Sequence, residues 1–356
     1  MTEKGLFMQN QNLNVFKKQL QESDFCSLYL FWGEEDYLRD YYVKELRKAI
    51  LPSGFEELNH FRFGGKEINL DELSNAIETV PAFSERKLIE VHDFDFYKSA
   101  QRDKLDEMLG DLPEYCCLLF LFSDPTFKPD GRMKIHKNFK NHGLSVEFPK
   151  QEGTDLFPWV RRRFEAQGKE IDRPTVEFFV FYCGAKMTTL IGEIEKTAAF
   201  AEEKTITKET IEKVCSPHLD AVIWNFTDAL AQQNFQKASA VMGELFLMRE
   251  NPILILAATG KKIRQLYSAR LAIEAGRADA LYLKKLWGLS HEYPAKLVLQ
   301  GARKLSLSWC KEAVLLAAEA DLSMKSTGRE GEELLTEFLL SLWKLAQTGK
   351  ENAIHA

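Results

Sequence analysis

The chain has no hydrophobic run of membrane-spanning length. Its longest, Cys116 to Phe122, covers seven residues, against the roughly 20 that a spanning helix needs. Cysteine is sparse, with six (26, 116, 117, 183, 215, 310), no C-x-x-C pair, and two of them adjacent inside that apolar run. Such a pattern gives no disulfide framework and fits reduced thiols in a cytoplasm. The seven histidines are scattered, without H-E-x-x-H, and no G-x-S-x-G elbow occurs, so zinc protease and serine hydrolase chemistry lose their usual carriers. A cysteine nucleophile would require Cys183 or Cys215 to meet a distant histidine, with nothing local in support. The first ten residues lack a basic segment feeding an apolar core, so no signal peptide is expected. Excess positive charge is missing too. The net charge of −6 excludes a generally basic nucleic-acid coat, though not a local basic face.

What is present is an ordinary globular composition, 45% apolar and 28% charged, over 356 residues. That length predicts two or three domains. Leu28–Trp32 reads as a strand, followed by a helix from Asp36 to about Ile50. Phe61 and Phe63 alternate in a second strand. Asn69 then caps a helix whose expected buried stripe is Leu70, Leu73, Ile77 and Val80, stopped by Pro81. Leu88–Val91, Cys116–Phe122 and the alternation Leu144, Val146, Phe148 supply further strands. Strands separated by helical segments predict crossover units and a mostly parallel sheet over residues 1–150. Beyond Gly153 no strand is convincing. Helices are expected at 155–167, 173–182, 188–203 and 207–214, and a boundary near Ser216-Pro217. Seven more helices between 221 and 347, rich in small residues, read as a packed bundle.

Three stretches invite a functional reading. Leu28-Tyr-Leu-Phe-Trp-Gly33 runs into Glu34, Glu35 and Asp36, the place where nucleotide-binding α/β domains put a phosphate loop. The several glycines, the Lys and the Ser/Thr of such a loop are absent, and G-x-x-x-x-G-K-[ST] occurs nowhere. Three carboxylates suit the positive end of a helix but would repel a triphosphate. Phe127–Lys140 sets Lys128, Arg132, Lys134, Lys137 and Lys140 against Asp130 alone. It reads as a solvated basic helix face or as a phosphate contact. Arg161-Arg-Arg163 invites the same pair of readings. In Thr79-Val-Pro-Ala-Phe-Ser84, Phe83 is either a core residue or a presented hydrophobic tip of the kind that anchors a protein interface.

Gly33-Glu-Glu-Asp-Tyr-Leu38 and Thr79-Val-Pro-Ala-Phe-Ser-Glu-Arg86 resemble the delta-subunit family of the bacterial DNA polymerase III clamp loader. So do Glu193-Ile-Glu-Lys196, His291-Glu-Tyr-Pro-Ala-Lys296, Ala302–Ser306 and Glu319–Ser326. The similarity runs over about residues 25 to 345. It implies an AAA+-like α/β domain (1–150), a small helical lid (151–216) and a helical collar (217–350) that joins a five-membered ring. It implies a subunit without intrinsic catalysis and without a cofactor, its degenerate phosphate-loop position at Gly33, Glu34, Glu35 and Asp36. The implied partners are the beta sliding clamp, ATP-binding gamma/tau-type and delta-prime-type subunits, and primed DNA, with no membrane. The implied location is cytoplasmic, at replication forks on the nucleoid. The family's clamp-binding element falls on Val80, Pro81, Ala82 and Phe83, with Ala82 standing where leucine is common. Candidate DNA contacts are Lys261, Lys262, Arg264, His291 and Tyr293. The competing readings are an AAA+-type nucleotide hydrolase with an unorthodox site, or a helical adaptor unrelated to replication.

Overall fold

A computed structural model describes residues 3–51, 53–65, 68–97, 101–289 and 292–354. The chain separates into two compact units, residues 1–151 and 152–356.

The first unit is built on five parallel strands: β1 (Leu28–Trp32), β2 (His60–Gly64), β3 (Lys87–His92), β4 (Cys116–Leu121) and β5 (Gly143–Glu147). Their order is β2-β3-β4-β1-β5, with every neighbouring pair parallel. The most continuously apolar strand, Cys-Cys-Leu-Leu-Phe-Leu, takes the central position, where both faces are covered. Side chains alternate between two cores, as the twofold period of a strand requires. Leu28, Leu30, Ile89, Val91, Leu118 and Phe120 pack with α4 (Leu70–Glu78), α5 (Arg102–Gly110) and α6 (Ile135–His142). Tyr29, Phe31, Leu88, Leu119 and Val146 pack on the opposite face with α1 (Glu3–Glu22) and α2 (Asp36–Ile50). A short helix, α3 (Glu56–Asn59), leads into β2.

The second unit is helical. Among its described residues there is no strand, only one bridge between Glu170 and Thr205. Helices α7 (Gly153–Ala166), α8 (Arg173–Cys183), α9 (Met187–Phe200) and α10 (Lys208–Val214) come first. Seven more follow: α11 (Leu219–Ala231), α12 (Phe235–Leu247), α13 (Pro252–Glu274), α14 (Ala280–Trp287), α15 (Tyr293–Ala302), α16 (Leu307–Ser326) and α17 (Gly331–Ile354). Their starts follow from side-chain caps. Asp172 accepts from Thr175 N at 2.8 Å, Asn251 from Ile253 N at 2.9 Å and Ser306 from Trp309 N at 3.1 Å. Helices α11 to α17 share one continuous core. No described helix is long and apolar enough to cross a membrane. The parallel α/β region followed by helices is the fold class expected from the sequence.

Candidate functional site

Helix α4 and the loop after it carry the most exposed aromatic side chain among the described residues of the first unit. Asn69 starts the helix by accepting from the amides of Asp71 (3.0 Å) and Glu72 (3.4 Å), while its own Nδ2 donates to Glu72 Oε1 (3.0 Å). Leu70, Leu73 and Ile77 are buried as expected. Val80 is not. The helix ends at Glu78, so Val80 leaves the buried stripe and stands 70% exposed. Phe83 is 81% exposed, which settles the choice between core and tip in favour of the tip.

The loop beneath that tip is tightly held. Lys87 opens β3 with a fully buried side chain, and its ammonium donates to the carbonyls of Ala76 (2.5 Å), Ile77 (2.8 Å) and Thr79. A cation at these carbonyls complements the negative end of α4. Burial pulls the lysine's pKa down, and the ring of Tyr115 faces the ammonium 5.1 Å away. Tyr115 also donates its hydroxyl to Glu78 O at 2.9 Å. On the other side, Asn59 is fully buried and clasps Ala82 twice. Its Nδ2 donates to Ala82 O and its Oδ1 accepts from Ala82 N, both at 2.8 Å. Ser84 Oγ donates to Arg86 O (2.7 Å), and Arg86 reaches Phe25 O at 2.7 Å.

Phe83 itself has φ +56°, a left-handed conformation that costs a side-chain-bearing residue about 1–3 kcal/mol. Among the described residues its ring neighbour is Phe55, at 5.2 Å between centroids. An apolar side chain left in water also forgoes about 1.5–3 kcal/mol of burial. The backbone thus holds the phenylalanine out in solvent at a cost in both strain and burial. Asn59, Lys87 and Phe55 escaped the sequence reading. The one available signal was Lys87, a charge abutting an apolar strand. Replacing Asn59 with alanine strips Ala82 of both partners and should cost about 1–2 kcal/mol. Urea denaturation measures that loss, and hydrogen exchange at the Ala82 amide should speed up while α4 stays protected.

The strand end at Gly33 has a different character. Its φ is +128°, and a Cβ there would lie 2.4 Å from Phe148 O and 2.8 Å from Phe148 N. The chain leaving β5 therefore crosses directly over the glycine. The amide of Glu35, at the start of α2, donates to Phe148 O at 2.9 Å. In a phosphate loop such amides converge on the anion; here one of them is committed to the protein's own backbone. Glu35 is buried, and Arg39 is buried one turn later with its guanidinium on Phe122 O at 3.1 Å.

The candidate DNA-contact residues differ in their surroundings. Lys261 and Arg264 are exposed on α13, whereas burial lowers the pKa of Lys262. Tyr293 packs its ring against Phe181 of α8 at 5.5 Å, with Lys208 Nζ 5.9 Å from its centroid. His291 lies outside the described residues. In the earlier basic stretch, Arg132 pairs with Asp130 and Lys134 with Asp106, which neutralises part of its charge. Cys183 and Cys215 face each other and Glu193, and among the described residues no histidine joins them.

Residues 29–149 match the family described as DNA polymerase III, delta subunit, and residues 220–342 match the C-terminal domain of the same subunit. The chain belongs to the delta-subunit family of DNA polymerase III. It is similar to the DNA polymerase III subunit delta of Bacillus subtilis (strain 168), 23% identical over 335 residues, covering 92% of this chain and 96% of that protein. It is also similar to a probable DNA polymerase III subunit delta of Aquifex aeolicus (strain VF5), 21% identical over 325 residues, covering 88% and 90%. A solved structure, the Bacillus subtilis DNA clamp loader delta protein, shares the fold with a TM-score of 0.54 and 21% identity, covering 92% of this chain and 98% of that one. As a delta subunit, the chain is a component of a clamp loader and works in a complex with other replication proteins.

Proposed function

We propose that this delta-family chain grips the beta sliding clamp with the Val80–Phe83 tip and favours the clamp's opened form, so that it can be passed onto primed DNA. The observation that carries this reading is a phenylalanine 81% exposed on a loop held from both sides. Aromatic residues of this kind dominate interface energetics. The step is mechanical: clamp-binding energy is spent on an opened ring interface, and the energy source lies in partner subunits of gamma/tau and delta-prime type. In this reading residues 151–216 act as a lid, residues 217–350 as a collar that joins the loader ring, and the assembly works at replication forks in the cytoplasm. Lys261 and Arg264 remain candidates for facing the enclosed DNA.

The chain itself leaves ATP to its partners. In support of this, the Glu35 amide is already bound to Phe148 O, and Gly33 lies under the same backbone. Two measurements test the proposal together. An immobilised beta clamp should capture the full chain, and equilibrium dialysis of the isolated chain should show no stoichiometric ATP. Failure to bind the clamp would leave a loader component without this grip, and one ATP per chain would restore the hydrolase reading.

A further inference from the structure

Outside the clamp-binding loop and the strand end at Gly33, one cluster of potential ligands is assembled from three helices of the second unit. Cys183 is the last residue of α8, Glu193 lies in the middle of α9, and Cys215 follows the last residue of α10. Both cysteines are buried and Glu193 is 9% exposed, and the two sulfurs and a carboxylate oxygen lie within 4.8 Å of one another. Separations along the chain of 10 and 22 residues place no recognisable ligand motif in the sequence; only the folding of α8, α9 and α10 brings them together.

We propose that Cys183, Glu193 and Cys215 form a binding site for one zinc-type divalent cation, which pins these three helices to each other. Two thiolates and a carboxylate are a donor set that suits Zn²⁺, through sulfur at about 2.3 Å and oxygen at about 2.0–2.2 Å. A tetrahedral ion with those bond lengths holds its ligand atoms ~3.5–3.8 Å apart, so an approach of at most about 1.3 Å completes the site. The surroundings already orient the donors. Lys196 holds Glu193 at 2.8 Å, and Ser216 N lies 3.4 Å from the same carboxylate. Thr197 Oγ1 sits 3.1 Å from Cys215 Sγ and donates to Glu193 O at 2.6 Å, tying the cysteine after α10 to α9. Supporting contacts of this sort fix ligand geometry around a metal. Charge also balances: two thiolates and one carboxylate against the cation leave one negative charge, which Lys196 offsets. Binding releases the two thiol protons to solvent, and a water fills the fourth position. The ion's place is structural, independent of the clamp-binding reading.

The test uses the full chain, stripped with chelator and titrated with Co²⁺ under reducing conditions. One equivalent should produce a thiolate-to-cobalt charge-transfer band, displaced by Zn²⁺, and Zn²⁺ should raise the thermal midpoint. Cys183→Ser and Cys215→Ser should each abolish the band, whereas Cys26→Ser, in the first unit, should keep it. Thr197→Val, which removes a supporting contact, should weaken Co²⁺ binding roughly 10- to 100-fold. Absence of the band from the wild-type chain overturns the site whatever the variants do. So does a band that survives both cysteine changes, or a Cys183–Cys215 disulfide in place of metal binding.

Discussion

Truncating Phe83 to alanine should weaken binding to a beta sliding clamp by roughly 30- to 1,000-fold, the equivalent of about 2–4 kcal/mol for a central aromatic anchor. The same change should leave folding almost untouched. Phe83 has most of its surface in water, with Phe55 as a ring neighbour, and exposed substitutions of this kind usually shift stability by less than about 0.5 kcal/mol. The contrast is the diagnostic part. A core phenylalanine would lose stability first and affinity only as a consequence. Surface plasmon resonance on an immobilised clamp, paired with urea denaturation of both proteins, separates the two cases. Unchanged affinity would remove the tip from the proposal, while a large fall in the urea midpoint would contradict its exposure.

The second large effect lies beneath the sheet. Glu90, in the middle of β3, has no exposed side chain. It meets Arg47 of α2 through two hydrogen bonds at 2.5 and 2.6 Å, His60 at 2.9 Å and His92 at 3.0 Å, with Arg62 at 3.8 Å. Burial alone would push its pKa up, but the hydrogen bonds from His60, His92 and Arg47 outweigh that and hold the carboxyl far below its ordinary value. Glu90→Gln removes the charge with little change of shape. It should cost about 3 kcal/mol at pH 7, the lower end for a broken buried pair, because Arg47 keeps a quarter of its side chain in solvent.

The pH dependence has a fixed sign. A carboxyl whose folded pKa is depressed contributes its full stability above the unfolded value, near 4.5, and loses it as pH falls from there toward the folded pKa. The gap between wild type and Glu90→Gln should therefore be complete at pH 7 and shrink steadily below about pH 4.5. Urea midpoints across that range measure it. A gap that stays constant would mean that Glu90 stabilises by shape rather than by charge.

Much of this architecture could be read in the sequence because local pattern and burial agree. Cys116–Leu121 is apolar throughout and becomes the central strand, and the caps Asn69, Asp172, Asn251 and Ser306 all work in place. The helical spacing runs on to Val80, but the helix ends at Glu78, where Lys87 holds the last carbonyls, so Val80 leaves the buried stripe. That lysine lies eight residues beyond Thr79 in contact, and no periodicity reports such a bond. Asn59 and Ala82, 23 residues apart, pose the same problem. The carboxylates after Gly33 did suggest a site unfit for phosphate, yet the closing partner, Phe148, enters from the far end of the domain. What escaped the sequence was consistently a side chain or backbone group supplied from a remote segment.

The double clasp of Asn59 on Ala82, together with the buried ammonium under α4, has a consequence for how a clamp would be let go. A flexible recognition loop can release its partner by folding away. This one has no slack to do so, because retraction would strand the Ala82 amide and carbonyl and uncover Lys87. A clamp held there, as proposed, would meet a grip constant in time, and turning it off would be a matter of access. Whatever ends the contact has to mask the phenylalanine or carry the whole α/β unit away from the ring.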